Sequence, residues 1–141
     1  INRYLRKISR PLLDRIDICV EVPPIGFKDL YNTGKSERSE EIRKRVIRTQ
    51  EIQKMRYCGE EFCFNSHIPS SKIFEYCKLD KKQETYMERM YNKLNLTART
   101  YHKILRVART LADMEESEQI KMRHLNEAIC YRNIDKKFWE V

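Results

Sequence analysis

The strongest hydrophobic pattern in the chain lies between residues 97 and 113 and is typical of an amphipathic helix. Its apolar positions follow one another at steps of one or three residues, and so share one face: Tyr101, Ile104, Leu105, Ala108, Leu111 and Ala112. The opposite face is predicted to be polar. It carries Arg99 and Asp113, together with Lys103 and Arg106 as solvated basic residues. Thr97 is predicted to cap this helix at its N-terminus.

Arg99 then falls in the first helical turn, where the positive end of the helix dipole disfavours a cation. An anion would explain the arginine, because free helix amides and a guanidinium together make a good phosphate site. The alternative is an ordinary solvated arginine. The spacing of residues by itself favours this second interpretation.

Other stretches also have helical patterns. Residues 39–58 place Ile42, Val46, Ile47, Thr49 and then Ile52–Met55 opposite a charged face. A short helix is predicted after Ser70 or Ser71, a further helix at about residues 81–93 with Asp80 as its cap, and a last one at about 120–130. Aromatic residues in the tail that follows are expected to pack back on the bundle.

Near the start of the chain the hydrophobic period changes. A short helix is predicted for residues 2–9, and apolar residues then alternate with polar ones until Pro23, which predicts one strand: Ile16, Ile18, Val20 and Val22. A lone strand leaves its backbone groups unpaired, so its sheet is expected in residues outside this chain. We therefore expect a fragment, with residues 1–24 ending one domain, 25–38 as a linker and 39–141 as a helical domain.

Composition supports a soluble, mainly helical protein. Of the 141 residues, 40% are apolar and 35% charged, with three Gly and four Pro. The apolar runs are far shorter than the roughly 20 residues that cross a bilayer, and no signal peptide is evident, which predicts a cytoplasmic protein without a membrane partner. The net charge of +8 favours an anionic partner such as nucleic acid or a nucleotide.

The five cysteines contain no CxxC pair, so free thiols are expected rather than a disulfide framework. A zinc site could be imagined from Cys58, Cys63, His67 and Cys77, but their spacing fits no common zinc finger. Cysteines that pack in the protein are the favoured interpretation, and no metal ligands are predicted. The chain also lacks a glycine-rich phosphate loop, an HExxH motif and a nucleophile elbow, so we do not expect it to catalyse a reaction alone.

Three motifs together resemble one family. They are KISRPLLDRID at residues 7–17, TARTYHKILRVART at residues 97–110 and HLNEAICYR at residues 124–132. In order and spacing they are similar to motifs of the magnesium chelatase-related AAA+ ATPases of bacteria, of the ComM or YifB type. Two positions depart from the family pattern, since Arg10 replaces a glycine and Thr97 replaces a serine.

The resemblance implies roles for two arginines. Arg15 stands at the position of the arginine finger, which acts in trans on the nucleotide of a neighbouring subunit. Arg99 stands at the position of the sensor 2 arginine, which contacts the phosphates of ATP. ATP and Mg²⁺ are the cofactors that the family implies for the full-length protein, and none is expected in the fragment.

On this resemblance the fold class is mainly α. A helical-bundle AAA+ lid of four to five helices follows the last helix and strand of the ATPase core. The implied partners are the upstream AAA+ core, further subunits of a homo-oligomer that is expected to be a hexamer, and DNA, which the full-length protein is expected to remodel by branch migration. Two alternatives stay open: a non-enzymatic basic module that binds nucleic acid or a protein, and a subunit of a metal chelatase.

Overall fold

The computed structural model describes residues 12, 14–24, 26–27 and 37–132, and this part of the chain contains five α-helices. They are α1 (Ser39–Arg56), α2 (Ile73–Tyr76), α3 (Lys81–Lys93), α4 (Ala98–Met114) and α5 (Met122–Cys130). Two 3-10 turns, Asn65–His67 and Ser70–Lys72, lie between α1 and α2. The prediction of a mainly helical fold is confirmed. Among the described helices we find none whose length and hydropathy would allow it to cross a membrane.

Helix α4 is the centre of the bundle and packs against α1, α2, α5 and the first 3-10 turn. Its apolar face is the one predicted from the sequence, and Ile104, Leu105, Ala108 and Ala112 are all 0% exposed. Leu125 and Ile129 of α5 complete this core together with residues from α2 and α3. Full burial of a leucine or isoleucine side chain contributes about 1.5–3 kcal/mol, so this face accounts for much of the bundle's stability.

Local capping explains where two helices begin. The Thr97 hydroxyl accepts a hydrogen bond from the Thr100 amide (3.2 Å), and this starts α4. At α3, Asp80 and Gln83 form a capping box in which each side chain accepts from the other residue's amide (2.9 and 3.0 Å). Gln83 also donates to the carbonyl of Ile120 (2.8 Å), which ties this cap to the loop before α5. Both predicted caps are confirmed.

Helix α1 buries only the second half of the face that the sequence predicts. Ile42, Val46 and Ile47 are 43%, 46% and 43% exposed, whereas Thr49 and Gln53 are buried. The prediction that the first apolar residues of α1 face the core is therefore wrong. Periodicity gives the residues that share a face, but α1 meets the rest of the bundle through residues of its second half.

The predicted strand at Ile16–Val22 is also wrong for the described residues, because no strand is found among them. Four of its apolar side chains are exposed: Ile16, Ile18, Val20 and Val22. A strand requires a neighbouring strand for its backbone groups, and the described part of the chain supplies helices instead. The backbone of this segment bonds to the helical bundle, where the Cys19 amide donates to the Tyr131 carbonyl (3.0 Å).

The predicted helix at residues 2–9, most of the linker and the tail from residue 133 lie outside the described residues. The domain boundaries proposed from the sequence therefore stay predictions.

A buried polar network joins α1 to α4 through the first 3-10 turn. Asp113 is only 1% exposed, so its predicted place on a solvated face is wrong. Its carboxylate accepts from Arg56 Nη1 (2.8 Å), Asn65 Nδ2 (2.8 Å) and Arg109 Nε (3.1 Å). The backbone amide of Asn65 in turn donates to Gln53 Oε1 (3.0 Å), so the loop backbone is held as well. These bonds neutralise and satisfy charges that would otherwise be costly to bury.

Candidate functional site

The first turn of α4 is the place where residues from the predicted motifs meet. Arg99 is the second residue of this helix and is exposed. The neighbouring Thr100 is only 5% exposed. Its hydroxyl lies 3.1 Å from the Thr97 hydroxyl and donates to Asp14 Oδ1 (3.3 Å). A residue of the first motif therefore lies directly against the start of the second.

Lys103, one turn further along α4, holds the same stretch of chain. Its Nζ donates to the carbonyl oxygen of Arg15 and forms an ion pair with Asp17 Oδ1 (2.8 Å). Only 11% of the Lys103 side chain is exposed. The prediction that Lys103 is a solvated residue is therefore wrong, because the N-terminal segment covers it.

Arg132, which follows α5, makes a third attachment. It is 5% exposed, and its Nη1 donates to the carbonyl oxygen of Ile16 while Nη2 lies 3.9 Å from Asp14 Oδ1. Together with the bond from the Cys19 amide to the Tyr131 carbonyl, this fixes residues 14–19 on the bundle. We call residues 14–19 the docked segment. The three motifs that are far apart in sequence thus converge at one place in the fold.

Both predicted site arginines keep their side chains available at this place. Arg15 and Arg99 are exposed, and within the described residues neither guanidinium has a hydrogen bond or an ion pair. An unengaged guanidinium beside helix amides is suited to an anionic ligand, since it donates in a planar, bidentate arrangement. The residues present therefore fit a phosphate group.

Aromatic rings flank the start of α4 on another side. The ring centroid of Tyr101 lies 5.9 Å from that of Tyr91, and His102 packs edge-on against Phe74 (5.8 Å). Burial lowers the pKa of His102, and the nearby Arg106 cation lowers it further, so the imidazole is neutral at pH 7. Arg106 itself donates to the carbonyl of Ile68 (2.6 Å), so its predicted solvated state is also wrong.

The third motif has a structural explanation. His124 is 0% exposed, and its Nδ1 accepts from the Lys121 amide (3.0 Å) at the start of α5. The proton must then be on Nε2, which lies 2.9 Å from Glu115 Oε2. The hydrogen bond from His124 lowers the pKa of Glu115, with Arg123 contributing in the same direction. His124 is therefore a capping residue that also ties α5 to the end of α4.

Sequence reasoning missed Lys103 and Arg132 as contributors to the site. Both are in the motifs on which the resemblance is based, and this was the available signal. Their partners are 86 or more residues away in sequence, so no local pattern indicates them.

The described residues contain no group of three or more His, Cys, Asp or Glu side chains placed to hold a metal ion. Of the four residues considered for zinc, Cys58, Cys63 and His67 are exposed and Cys77 is buried. Burial raises the pKa of the Cys77 thiol to about 12. The expectation that cysteines pack inside the protein applies to Cys77 and is wrong for Cys58 and Cys63.

The described residues form a helical bundle that is consistent with a lid domain. Its central helix is capped by Thr97 and carries the exposed Arg99 in its first turn. The chain belongs to the family described as "Magnesium chelatase, subunit ChlI C-terminal", which matches residues 36–132. Residues 1–30 match a second family description, "Magnesium chelatase, subunit ChlI". The family resemblance inferred from the three motifs is confirmed.

Curated relatives agree with this assignment. The chain is 42% identical over 133 residues to the competence protein ComM of Haemophilus influenzae. The aligned region covers 94% of this chain and 25% of the relative. Identity is 37% to the YifB protein of Salmonella typhimurium and 35% to that of Escherichia coli, each over 136 residues that cover 95% of this chain and 26% of the relative. The chain therefore spans about a quarter of the length of the curated relatives it matches.

Proposed function

We propose that this chain is the C-terminal part of a magnesium chelatase-related AAA+ ATPase, in which Arg99 is the sensor 2 residue and Arg15 the arginine finger. The observation that carries the proposal is the docked segment. Three contacts from the first two turns of α4 and one from Arg132 hold the segment around Arg15 on the bundle, while the Arg15 and Arg99 guanidinium groups stay unengaged within the described part. The family assignment and the greater length of the relatives support it further.

In this proposal Arg99 binds phosphate oxygens of the nucleotide held by its own subunit. ATP with Mg²⁺ supplies the transferable phosphoryl group. Arg99 donates two hydrogen bonds from a helix N-terminus that already favours anions. The bound phosphate therefore offsets the repulsion between the Arg99 cation and the positive end of the helix dipole.

Arg15 acts on the nucleotide of the neighbouring subunit. Its guanidinium stabilises negative charge that develops on the phosphoryl oxygens during transfer, and its charge persists at every physiological pH. Because the residue is exposed, a neighbouring subunit can approach it without rearrangement of the bundle.

The wider function proposed for the full-length protein is remodelling of DNA, by branch migration in recombination or natural transformation. The printed name of the Haemophilus relative, a competence protein, motivates this choice. The proposal includes a homo-oligomer that is hexameric, an upstream AAA+ core that binds ATP and Mg²⁺, and a location in the cytoplasm.

ATP turnover by the full-length protein tests the two arginines separately. We expect Arg15→Ala to lower kcat by about 1,000-fold. For Arg99→Ala we expect nucleotide affinity to fall roughly 10- to 100-fold, since a hydrogen bond to a charged group contributes about 1.5–3 kcal/mol. Arg43→Ala is the matched control, because Arg43 is exposed on α1 and its substitution removes the same charge. Wild-type turnover in both site variants would reject the assignment.

A non-enzymatic basic module is the second candidate, favoured by the net charge of +8. The structure gives it limited support, because two cations on α1 are already paired, Arg45 with Glu37 and Arg48 with Glu116. A gel shift with this chain, together with the ATP turnover of the full-length protein, discriminates between the two candidates. Tight DNA binding that weakens steeply with salt, in a full-length protein without ATP turnover, would favour the module. Metal insertion, the third candidate, has no support from a metal-ligand cluster in the described part.

A further inference from the structure

We propose that Lys103 and Arg132 are positioning residues that fasten Arg15 to the lid, so that movement of α4 moves the arginine finger with it. We call these two cations the latch residues. The inference rests on the proposed function for the role of Arg15, whereas the fastening itself rests on the contacts.

The latch residues bind two successive peptide groups, which lie on either side of the Ile16 Cα. Lys103 Nζ donates to the carbonyl oxygen of Arg15, and Arg132 Nη1 donates to that of Ile16. Fixing two successive carbonyl groups restricts the backbone dihedral angles next to Arg15 and therefore the place from which its side chain projects. Contacts with only the side chains of a segment would leave this freedom.

Burial and charge indicate that the attachment is specific. The side chains of Lys103 and Arg132 are only 11% and 4% exposed, and cations with so little solvent exposure are seldom found without a counter-charge. The docked segment supplies carboxylates to both: Asp17 to Lys103 at 2.8 Å and Asp14 to Arg132 at 3.9 Å. Both partners of Lys103 lie in the docked segment.

The latch also connects to the proposed nucleotide contact. Arg99, Thr100 and Lys103 all lie in the first two turns of α4, and Thr100 donates to Asp14 (3.3 Å). A helix of this length moves as a rigid element, so a shift of Arg99 toward a phosphate displaces Lys103 and the Arg15 backbone together. Occupancy of one nucleotide site would thus change the position of the finger that serves the next subunit.

Hydrogen exchange tests the fastening. The amide of Cys19 donates to the Tyr131 carbonyl, so its exchange rate reports release of the docked segment. In this chain we expect Arg132→Gln and Lys103→Met to accelerate Cys19 exchange by about tenfold or more, with core amides of α4 unchanged. Asp17→Asn removes the ion pair with Lys103 by changing its exposed partner, and therefore serves as the variant that leaves the bundle intact. Arg43→Gln and Lys44→Met are the charge-matched controls on α1.

Kinetics of the full-length protein test the positioning role. We expect each latch variant to lower kcat for ATP by about 10- to 100-fold through misplacement of Arg15, with nucleotide affinity unchanged. Lys103→Arg, which keeps a donor and a charge, should restore most of the turnover. In an Arg15→Ala background, Lys103→Met should cause no further loss, because both variants remove the action of one group.

The outcomes separate the two ideas. Wild-type Cys19 exchange in all three variants would overturn the latch, and so would a kinetic loss that adds to that of Arg15→Ala. A wild-type full-length protein that hydrolyses no ATP would overturn the proposed function, while the exchange rates would still decide whether the latch exists.

Discussion

Asp113 accepts hydrogen bonds from three side chains although only 1% of its surface is exposed. Two of the donors are the cations Arg56 and Arg109, and the third is Asn65. Arg109 also donates to the carbonyls of Ser117 and Glu118 (2.6 and 2.8 Å), beyond the end of α4. The carboxylate therefore links one helix end to another.

We expect Asp113→Ala to lower the free energy of unfolding by about 3–5 kcal/mol, because removal of one partner leaves buried charge uncompensated. Urea denaturation of the chain measures the change. Glu116→Ala is the control, since Glu116 pairs with Arg48 on the surface, where ion pairs contribute little. Equal stability of Asp113→Ala and wild type would show that the network does not hold α1 to α4.

The thiols give a second prediction for single residues. We expect an alkylating reagent at pH 8 to label the exposed Cys58, Cys63 and Cys130 and to leave Cys77 unmodified until the protein unfolds. Cys77 is buried, and burial raises its pKa to about 12, so very little thiolate exists to react. Mass spectrometry of digested protein, with and without denaturant, identifies the labelled sites. Rapid labelling of Cys77 in the folded chain would contradict this placement.

Sequence alone located Arg99 correctly in a first turn, because a cap and a helical period are local signals. It failed for Lys103 and Asp113, which were assigned to a solvated face. Periodicity tells which side of a helix a residue occupies, but it does not tell which distant segment covers that side. For Lys103 the cover is the docked segment, and for Asp113 it is α1 with the 3-10 turn.

At the scale of elements, α3 and α4 begin and end within about two residues of the prediction, because their caps are encoded next to their apolar periods. Local signals of this kind do not decide whether residues 16–22 form a strand. Whether an alternating segment becomes a strand depends on a neighbouring strand, and the described residues offer helices to Ile16–Val22 instead.

The cap of α4 can be tested directly. We expect Thr97→Ala to destabilise the chain by about 1 kcal/mol, since the Thr100 amide then loses its acceptor. Thr97→Ser keeps the hydroxyl and should be nearly neutral. Thermal or urea unfolding provides the comparison.

Arg99→Ala in the same assay should not destabilise the chain, because this exposed cation opposes the helix dipole. A large loss of stability in Arg99→Ala would instead indicate a structural role.

The contact between α4 and α5 predicts a dependence on pH. Hydrogen bonding from His124, and then Arg123, lowers the pKa of Glu115 below its ordinary value of 4.5. The resulting stabilisation is present above that value and is lost as pH falls through the lower, folded-state pKa. Thermal midpoints of wild type and Glu115→Gln measured from pH 7 downward should therefore converge at acidic pH. A constant gap would contradict the assignment.

At the scale of the whole molecule, the described part of the chain is a lid-type helical bundle with the docked segment attached to its surface. The family assignment fixes the class of protein, and the docked segment brings Arg15 to the start of α4. Three sequence motifs that looked independent are explained by one arrangement, since residues 14–17 of the first motif lie in the docked segment and the other two motifs supply its attachments. The central claim is that Arg15 serves the nucleotide of a different subunit.

Mixed oligomers of the full-length protein test this claim most directly. One subunit carries Arg15→Ala, and the other carries a disabled Walker A lysine in the upstream core with Arg15 intact. If Arg15 acts in trans, a Walker-deficient subunit supplies its finger to the intact nucleotide site of an Arg15→Ala neighbour, so the mixture hydrolyses ATP although neither parent does so appreciably. We expect turnover to be highest near equal proportions. A mixture no more active than the average of its two parents would contradict the account.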